Sequence, residues 1–461
     1  MIFDIILTMN LKSYIGDKFF YKQVASLAIP LSLQQLLGSA MEMIDSLMVS
    51  WIGMISAVGS ASQIIIIAST ITWGILSGTN IFASQFYGKK DHLYLKKVFG
   101  LSLCLTSINA LFWISLISLF PEAVVRFYIN DNEIIIHSIE YLNIARFTIL
   151  LEAVSFTFSY HYRCVDKAAL TLYVSIFSML CNVVLNYIFI FGWGPIPSMN
   201  VSGAALATLL SHFFSILIYL IYGIKTKQPF FGSFHEMFSF HFDFIRHVLR
   251  RVYPLIINEA LFGFGSSLII KALGGLSRES LEAYYIGDQI AAFFSFIIWG
   301  FGGSVQLMLS YDLGKGNREQ AIEKSRHFMG LALILAIVLA SLLAICSPFI
   351  MSFYNIQDEI IYASTKAILL VFCLKIAFRL FNFTIFSILR SGGDSRIISF
   401  LDAGIMYLIA IPLSFTSVYL FHIENVALVY LITQSEQVVR FILGIKRIQS
   451  GIWAKDLTNI E

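Results

Sequence analysis

The chain has 461 residues, of which 58% are hydrophobic and 13% are charged, and its formal net charge is +3. So large an apolar share lies far outside soluble averages and indicates an integral membrane protein with many spans. The same composition argues against a disordered chain and against a nucleic-acid-binding protein.

The N-terminal stretch MIFDIILTMNLKSYIGDKFF contains an apolar run that is too short and too interrupted for a signal peptide. No small-residue cleavage site follows it, and Lys12, Lys18 and Lys22 precede the first long apolar run. We therefore expect a short cytoplasmic helix at this end.

Apolar runs of about 20 residues, the length that crosses about 30 Å of hydrocarbon, recur along the whole chain. They predict an all-α integral membrane protein with twelve transmembrane helices. The predicted extents are 27–50, 57–84, 98–120, 140–162, 169–191, 201–223, 252–273, 283–309, 327–347, 361–387, 397–420 and 425–444.

Lysine and arginine collect on one side of these spans. If the N-terminus is cytoplasmic, the outer loops hold only Arg126 and Arg278, whereas basic pairs such as Lys89-Lys90 fall on the inner side. Because cytoplasmic loops are enriched in lysine and arginine, this split predicts cytoplasmic N- and C-termini and supports the count of twelve.

The first span, within PLSLQQLLGSAMEMIDSLMVSWIG, carries two carboxylates, Glu42 and Asp45. Acidic residues inside a membrane usually face a polar cavity and take part in function, because a bare carboxylate in hydrocarbon is costly. The spacing of three places both on one helix face. Asp45 is thus the first candidate for cation binding, with Glu42 beside it; the alternative is that Asp45 lies near a helix end and contacts headgroups or a loop amide.

The two halves of the chain repeat one pattern. The second span ends ITWGILSGTNIFASQFYGKKD and the eighth ends IIWGFGGSVQLMLSYDLGKGN, so that Trp73 corresponds to Trp299 and Gly88 to Gly314. Six is an even number, so two six-span halves share one orientation and are related by an axis along the membrane normal. We expect a cavity between them, lined mainly by spans one, two, seven and eight.

A long loop separates the halves. The segment KTKQPFFGSFHEMFSFHFDFIRHVLRR, from Lys225 to Arg251, mixes aromatic and basic residues in a way that is typical of an interfacial helix. The predicted domains are a six-helix N-terminal lobe (1–224), a cytoplasmic linker (225–251) and a six-helix C-terminal lobe with a cytoplasmic tail (252–461).

Further charged residues lie within the spans of the second half. Glu259 follows Pro254 by five residues, where a proline-loosened backbone can help to coordinate an ion. The alternative for Glu259 is an ion pair with a basic residue such as Arg379 that only orients helices. Asp288 is the next candidate. Lys375 and Arg379 share one helix face and need counter-charges, for which Glu259 and Asp288 are candidates, or else they recognise an anionic substrate.

The remaining intramembrane charges predict structure more than function. Glu436 and Arg440 have the four-residue spacing of a self-neutralising pair. Arg146, Glu152 and Asp402 lie near span ends or near each other's lobes, and the sequence assigns them no role.

No motif of catalysis or metal binding stands out. The five cysteines fall in or beside apolar segments, without CxxC or Cys/His metal spacing, and are predicted to be free thiols. Paired groups such as HxxxD or HExxH are absent from the spans, so we expect no enzyme activity, no metal site and no cofactor besides a coupling ion.

Several short motifs, taken in order, resemble the multidrug and toxic compound extrusion (MATE) transporters, whose superfamily also includes lipid-linked oligosaccharide flippases. Together they cover nearly the whole chain. They are Pro30 through Asp45, ASQFYGKKD, LSYDLGKGN, NVSGAALAT, RSGGDSR and SGIWAKDLT.

The resemblance implies a V-shaped fold of two six-helix lobes that exports organic cations or other amphiphiles in exchange for protons or sodium. Asp45 matches an aspartate of the first helix, while Asn182 and Asn186 match polar positions of the fifth, where some members have an aspartate at the second position. Glu259 resembles a seventh-helix glutamate. The tenth-helix aspartate that accompanies it in some members is missing, and that span is basic instead.

The leading prediction is therefore a secondary antiporter of small cationic or amphiphilic compounds, coupled to H⁺ or Na⁺. We expect a monomer in the cell membrane, in contact with lipid and not with nucleic acid. The alternative is a flippase or exporter of a lipid-linked or anionic substrate, for which Lys375 and Arg379 are the only indication. Since Asn186 cannot titrate, we hypothesise that Glu259 shares the coupling with Asp45.

Overall fold

In the computed structural model, which describes residues 11–128, 131–354, 356 and 358–459, nearly all of the chain is helical. Eleven helices are long and apolar enough to cross a membrane, and a bent pair makes a twelfth candidate. This confirms the predicted all-α fold. The helices are α1 (Lys18–Ser50), α2 (Ile55–Lys89), α3 (His92–Leu119), α4 (Asn132–Cys164), α5 (Ala168–Phe191), α6 (Asn200–Lys225), α7 (Phe242–Leu273), α8 (Arg278–Phe293 with Ser295–Gly314), α9 (Arg318–Phe353), α10 (Glu359–Ser391), α11 (Ser395–Leu420) and α12 (Val426–Gln449).

Most helices extend beyond the apolar runs that predicted them. α9, for example, has 36 residues, a length of about 54 Å at about 1.5 Å per residue, which exceeds the thickness of a bilayer. The apolar run ends where charged residues begin, whereas the backbone hydrogen bonds of the helix continue past that point. The N-terminal helix predicted from the sequence falls largely on residues 1–10, outside the described residues. Where the description begins, a 3₁₀ turn at Leu11–Tyr14 precedes α1.

Among the described residues, α8 and α11 depart clearly from regular α-helix. α8 is bent by 44° where its two parts meet at Phe294. α11 contains wide π-helical turns at Phe400–Gly404, Met406–Ala410 and Thr416–Leu420. Such turns are rare and often occur at functional sites, and the first of them contains Asp402.

The chain divides into two compact units, and the divisions fall inside α1 and α7, next to Pro30 and Pro254. We call Leu33–Ile256 with Thr458–Glu461 the N unit, and Met1–Ser32 with Ile257–Leu457 the C unit. The start of α1 belongs to the C unit because Phe20 packs edge-on against Phe328 of α9. The lobe boundaries drawn from the sequence stay a prediction.

The core of the N unit lies where α2, α3 and α4 meet. Its small residues, such as Ala68, Ala110 and Ala153, let the helices approach closely, and larger aliphatic side chains fill the remaining space. The fully or nearly fully buried members of this cluster are Ala61, Ile64, Ala68, Ala110, Ile117, Val125, Ile135, Leu142, Ile149 and Ala153.

The linker between α6 and α7 folds onto the N unit. Its one helix, Phe234–Phe238, begins with a capping box in which Ser233 and Glu236 bond each other's backbone, and Glu236 forms a 3.0 Å ion pair with Lys96. The Ser233 backbone N–H and then Lys96 hold the pKa of the Glu236 carboxyl below its ordinary value. The interfacial helix predicted for this loop is thus only five residues long, because α7 already begins at Phe242.

The C-terminal tail packs into the C unit. Trp453 is fully buried and donates a hydrogen bond from Nε1 to the Ile448 carbonyl oxygen, and its own carbonyl oxygen lies where a Cβ on Gly392 would be. Asp394 of the RSGGDSR turn accepts a 2.7 Å bond from Arg447. This glycine-rich turn and the SGIWAKDLT tail therefore stabilise each other.

Candidate functional site

Asp45 lies in the N unit at the end of a chain of hydrogen-bonded polar side chains. Asn186 Nδ2 donates to Asp45 Oδ1 at 2.5 Å and is 3.0 Å from Asn182 Oδ1, and Asn182 Nδ2 donates to Thr208 Oγ1 at 3.2 Å. Asn182 and Asn186 share a face of α5 because they are four residues apart, and both are fully buried. The structure thus brings together three of the residues predicted from the sequence and adds Thr208.

The missed member, Thr208, ends the NVSGAALAT motif that contributed to the family resemblance. Its spacing from the other residues carries no signal, because it lies on another helix, α6. Only the packing of α5 on α6 shows that its hydroxyl meets Asn182.

The Asp45 site has the chemistry of a small-cation site. Asp45 forms no ion pair with any lysine or arginine that the structure describes, and Asn186 Oδ1 is buried without a hydrogen-bond partner. Carboxylate, amide and hydroxyl oxygens are the ligands that hard cations prefer, and a carboxylate also takes a proton. Within the described residues, no group of three or more His, Cys, Asp or Glu could hold a metal ion.

Two further carboxylates accompany Asp45 in the N unit. Glu42 is exposed, and its charge acts on both Asp45 and Glu152. Glu152, on α4, accepts a 2.9 Å hydrogen bond from the Ser69 hydroxyl of α2. Sequence reasoning gave Glu152 no role, since its neighbours come from other helices.

Glu259 pairs with a residue that the sequence did not suggest. Its Oε1 lies 3.7 Å from a guanidinium nitrogen of Arg390, at the end of α10, and not beside Arg379. The preceding residue, Asn258, donates to Asp402 at 3.0 Å and accepts from the Ala403 backbone N–H. Glu259 therefore begins a polar network between α7, α10 and α11.

Asp288 and Lys375 form a pair, as one of the sequence alternatives predicted. Lys375 Nζ lies 3.7 Å from Asp288 Oδ1, hydrogen-bonds with the Tyr430 hydroxyl at 2.5 Å, and lies over the Phe372 ring at 4.6 Å. Arg379, one turn further along α10, forms no ion pair or hydrogen bond with the residues that the structure describes. It is an unmatched cation in a membrane span.

The predicted pair of Glu436 and Arg440 is confirmed and is part of a larger group. Arg440 NH2 donates to Glu436 Oε2 at 2.8 Å and to the Asp402 carbonyl oxygen at 2.9 Å, while NH1 donates to Asp402 Oδ1 at 3.1 Å. Arg440 is 3% exposed and Glu436 is 5% exposed. One arginine thus neutralises two carboxylates and fixes α12 to a π-helical turn of α11.

The chain as a whole is similar to known proteins. A family model described as MatE matches residues 30–188 and 254–416. The chain is 24% identical over 384 residues to the probable multidrug resistance protein YoeA of Bacillus subtilis (strain 168), covering 82% of this chain and 80% of that protein. It is 23% identical over 435 residues to the uncharacterized transporter YisQ of the same organism, covering 92% of each.

Solved structures share the fold. A MOP superfamily transporter from Pyrococcus furiosus superimposes with a TM-score of 0.82 at 17% identity, over 96% of this chain and 99% of that chain. At this identity the likeness shows the fold alone.

Proposed function

Because the chain belongs to the MatE family, we propose that it is a secondary multidrug efflux transporter that exports organic cations or amphiphilic compounds in exchange for H⁺ or Na⁺. The observation that carries the proposal is the Asp45 site: a carboxylate in a membrane span that accepts from the neutral amide of Asn186 and has no basic partner within the described residues. A relative named as a probable multidrug resistance protein supports this substrate class.

Exchange requires that the ion and the substrate favour different states of the transporter, because a ligand shifts an equilibrium only by its differential affinity for two states. Asp45 meets this requirement in a simple way. Without a bound ion, the Asp45 carboxylate is charged and attracts a cationic compound. When H⁺ or Na⁺ binds, this charge is neutralised. Asn186 donates a hydrogen bond to this carboxylate, and Asn182 in turn accepts a bond from Asn186, so that the Asn186 amide is held beside Asp45.

The same proposal includes the topology and the partners. We propose N- and C-terminal lobes over 1–224 and 252–461 with a linker at 225–251, cytoplasmic termini, and a monomer in the cell membrane that contacts lipid and no nucleic acid. The loop charges support this orientation. The transporter needs no cofactor besides its coupling ion, H⁺ or Na⁺.

The experiment is efflux of a fluorescent cationic dye from liposomes that contain the purified protein, with proton and sodium gradients imposed separately. We expect Asp45→Asn to abolish gradient-driven efflux, because an amide can neither titrate nor attract a cation. Asp243→Asn is the matched control: Asp243 is exposed in the first turn of α7 and makes no ion pair among the described residues. Normal transport by Asp45→Asn would show that Asp45 is structural.

One observation favours a second candidate function, export of an anionic or lipid-linked substrate. Arg379 lacks an ion partner among the described residues, and Lys375 beside it is held by an aromatic ring and a tyrosine hydroxyl. A cation without a counter-charge in a membrane span invites an anionic ligand. An anionic dye tested with Arg379→Gln separates the two functions, since only an anion exporter should lose transport of that dye in this variant.

A further inference from the structure

The intramembrane carboxylates of the two units differ in whether they have a basic partner. In the C unit, Glu259, Asp288, Asp402 and Glu436 each have a lysine or arginine partner between 2.8 and 3.7 Å away. Each of these carboxylates therefore has a counter-charge beside it, and removing either partner would leave the other one uncompensated.

In the N unit, Glu152 has no lysine or arginine partner among the residues that the structure describes. Its one hydrogen bond among the described residues comes from the Ser69 hydroxyl, at 2.9 Å. The neighbouring Ile149 and Ala153 belong to the apolar core between α2, α3 and α4, with exposures of 2% and 1%. A charged carboxylate in such surroundings costs several kcal/mol unless it is neutralised, and no lysine or arginine of the described ranges pairs with it.

The helices near Glu152 carry acids, a histidine and neutral hydrogen-bonding groups. α1 contributes the charge of Glu42, and α4 itself contributes Tyr141, on which both Glu152 and Asp45 act. α6 contributes His212, whose ring contacts Phe156 one turn from Glu152. From α2 comes the Ser69 hydroxyl, and from α3 comes the neutral amide of Asn109, which bonds Thr72 at 3.1 Å.

We propose that Glu152 is a second proton-carrying carboxylate of the N unit, which loads and releases H⁺ in step with Asp45 during transport. This inference rests on the proposed antiport function and adds a residue and an ion to it. The ion is H⁺ and not Na⁺, because Glu152 and Ser69 supply too few oxygens for the about six that a hard metal cation collects.

The Ser69 hydroxyl suits a site that changes its protonation state. A hydroxyl donates to a carboxylate and accepts from a carboxylic acid by rotating about one bond, so the Ser69–Glu152 contact persists in both states. Glu42 links Glu152 to Asp45, since its charge acts on both. Interacting acids share their protons as a group, and neutralising one of them changes the proton occupancy of the others.

The test begins without transport. Infrared difference spectra of the purified protein, taken between acid and alkaline buffers that keep it folded, report the carbonyl stretch of protonated carboxyl groups. We expect one such band to disappear in Glu152→Gln, whose amide keeps a hydrogen bond with Ser69. Glu140→Gln is the matched control: it makes the same substitution on the same helix, but at an exposed glutamate paired with His137.

The second arm counts protons exchanged for a cationic dye in liposomes. Two carriers predict that Glu152→Gln exchanges about half as many protons per dye as the unmodified protein and Glu140→Gln, and that its rate depends less steeply on pH. If no band is lost in Glu152→Gln, or if the proton count is unchanged, the inference is overturned while the antiport function stands. If the unmodified protein moves no dye under any gradient, the proposed function itself fails, and the inference fails with it.

Discussion

Arg440 gives the sharpest prediction about stability, because this one buried side chain neutralises the buried carboxylate of Glu436 and the half-buried carboxylate of Asp402. It makes three hydrogen bonds of 2.8 to 3.1 Å, to Glu436 and to Asp402. Arg440→Met fits the same volume but leaves both acids without a counter-charge. Breaking a buried pair from one side costs about 3–5 kcal/mol, so the unfolding equilibrium should shift by on the order of a hundredfold or more.

The assay is denaturant-induced unfolding in mixed micelles, followed by intrinsic fluorescence. Lys446→Met removes a cation from an exposed position of the same helix and should change the free energy of unfolding by less than about 0.5 kcal/mol. Adding Asp402→Asn and Glu436→Gln to Arg440→Met should restore most of the loss, because the buried charges are then gone. A loss below about 1 kcal/mol in Arg440→Met would refute the reasoning.

Three more predictions follow from single contacts. The depressed pKa of Glu236 means that its contacts stabilise the linker above the unfolded pKa, and that this stabilisation is lost as pH falls through the folded pKa. Cleavage of the linker by an acid-active protease such as pepsin should therefore accelerate as pH falls through this range, and Glu236→Gln should remove this pH dependence. Gly392→Ala should lower the melting temperature, because its Cβ would meet the Trp453 carbonyl oxygen. Glu259→Gln should leave the pH and sodium profiles of efflux unchanged if Glu259 is a structural partner of Arg390, whereas a flattened profile would support the shared coupling hypothesised from the sequence.

Controls for these variants come from the same chain. Glu133→Gln removes an exposed glutamate from the first turn of α4 and should leave cleavage of the linker as pH-dependent as before. Gly59→Ala adds a Cβ that meets nothing within 4 Å inside α2, so it should not destabilise the protein as Gly392→Ala does. Equal melting temperatures for the two alanine variants would contradict the proposed tail contact.

The spans, and the site residues that share a helix face, could be predicted because both depend on residues that are close together in the sequence. Inside a membrane, the backbone N–H and C=O groups of an apolar run find hydrogen-bond partners within the run only if it forms a helix. Hydropathy alone therefore located the spans. Spacing along one helix likewise placed Asn182 and Asn186 on one face, and Glu436 beside Arg440. Asp45 stood out because a carboxylate inside such a run is unusual.

Partners on different helices were decided only by the tertiary structure. The sequence suggested Arg379 for Glu259, but the packing of α7 on α10 brings Arg390 there and leaves Arg379 without an ion partner among the described residues. Neither Thr208 nor Ser69 is marked by its spacing, and yet these hydroxyls complete the contacts of Asn182 and Glu152. A helical period fixes which residues of one helix face the same way, whereas the residue that meets them depends on how neighbouring helices cross and on how far each is shifted along its axis.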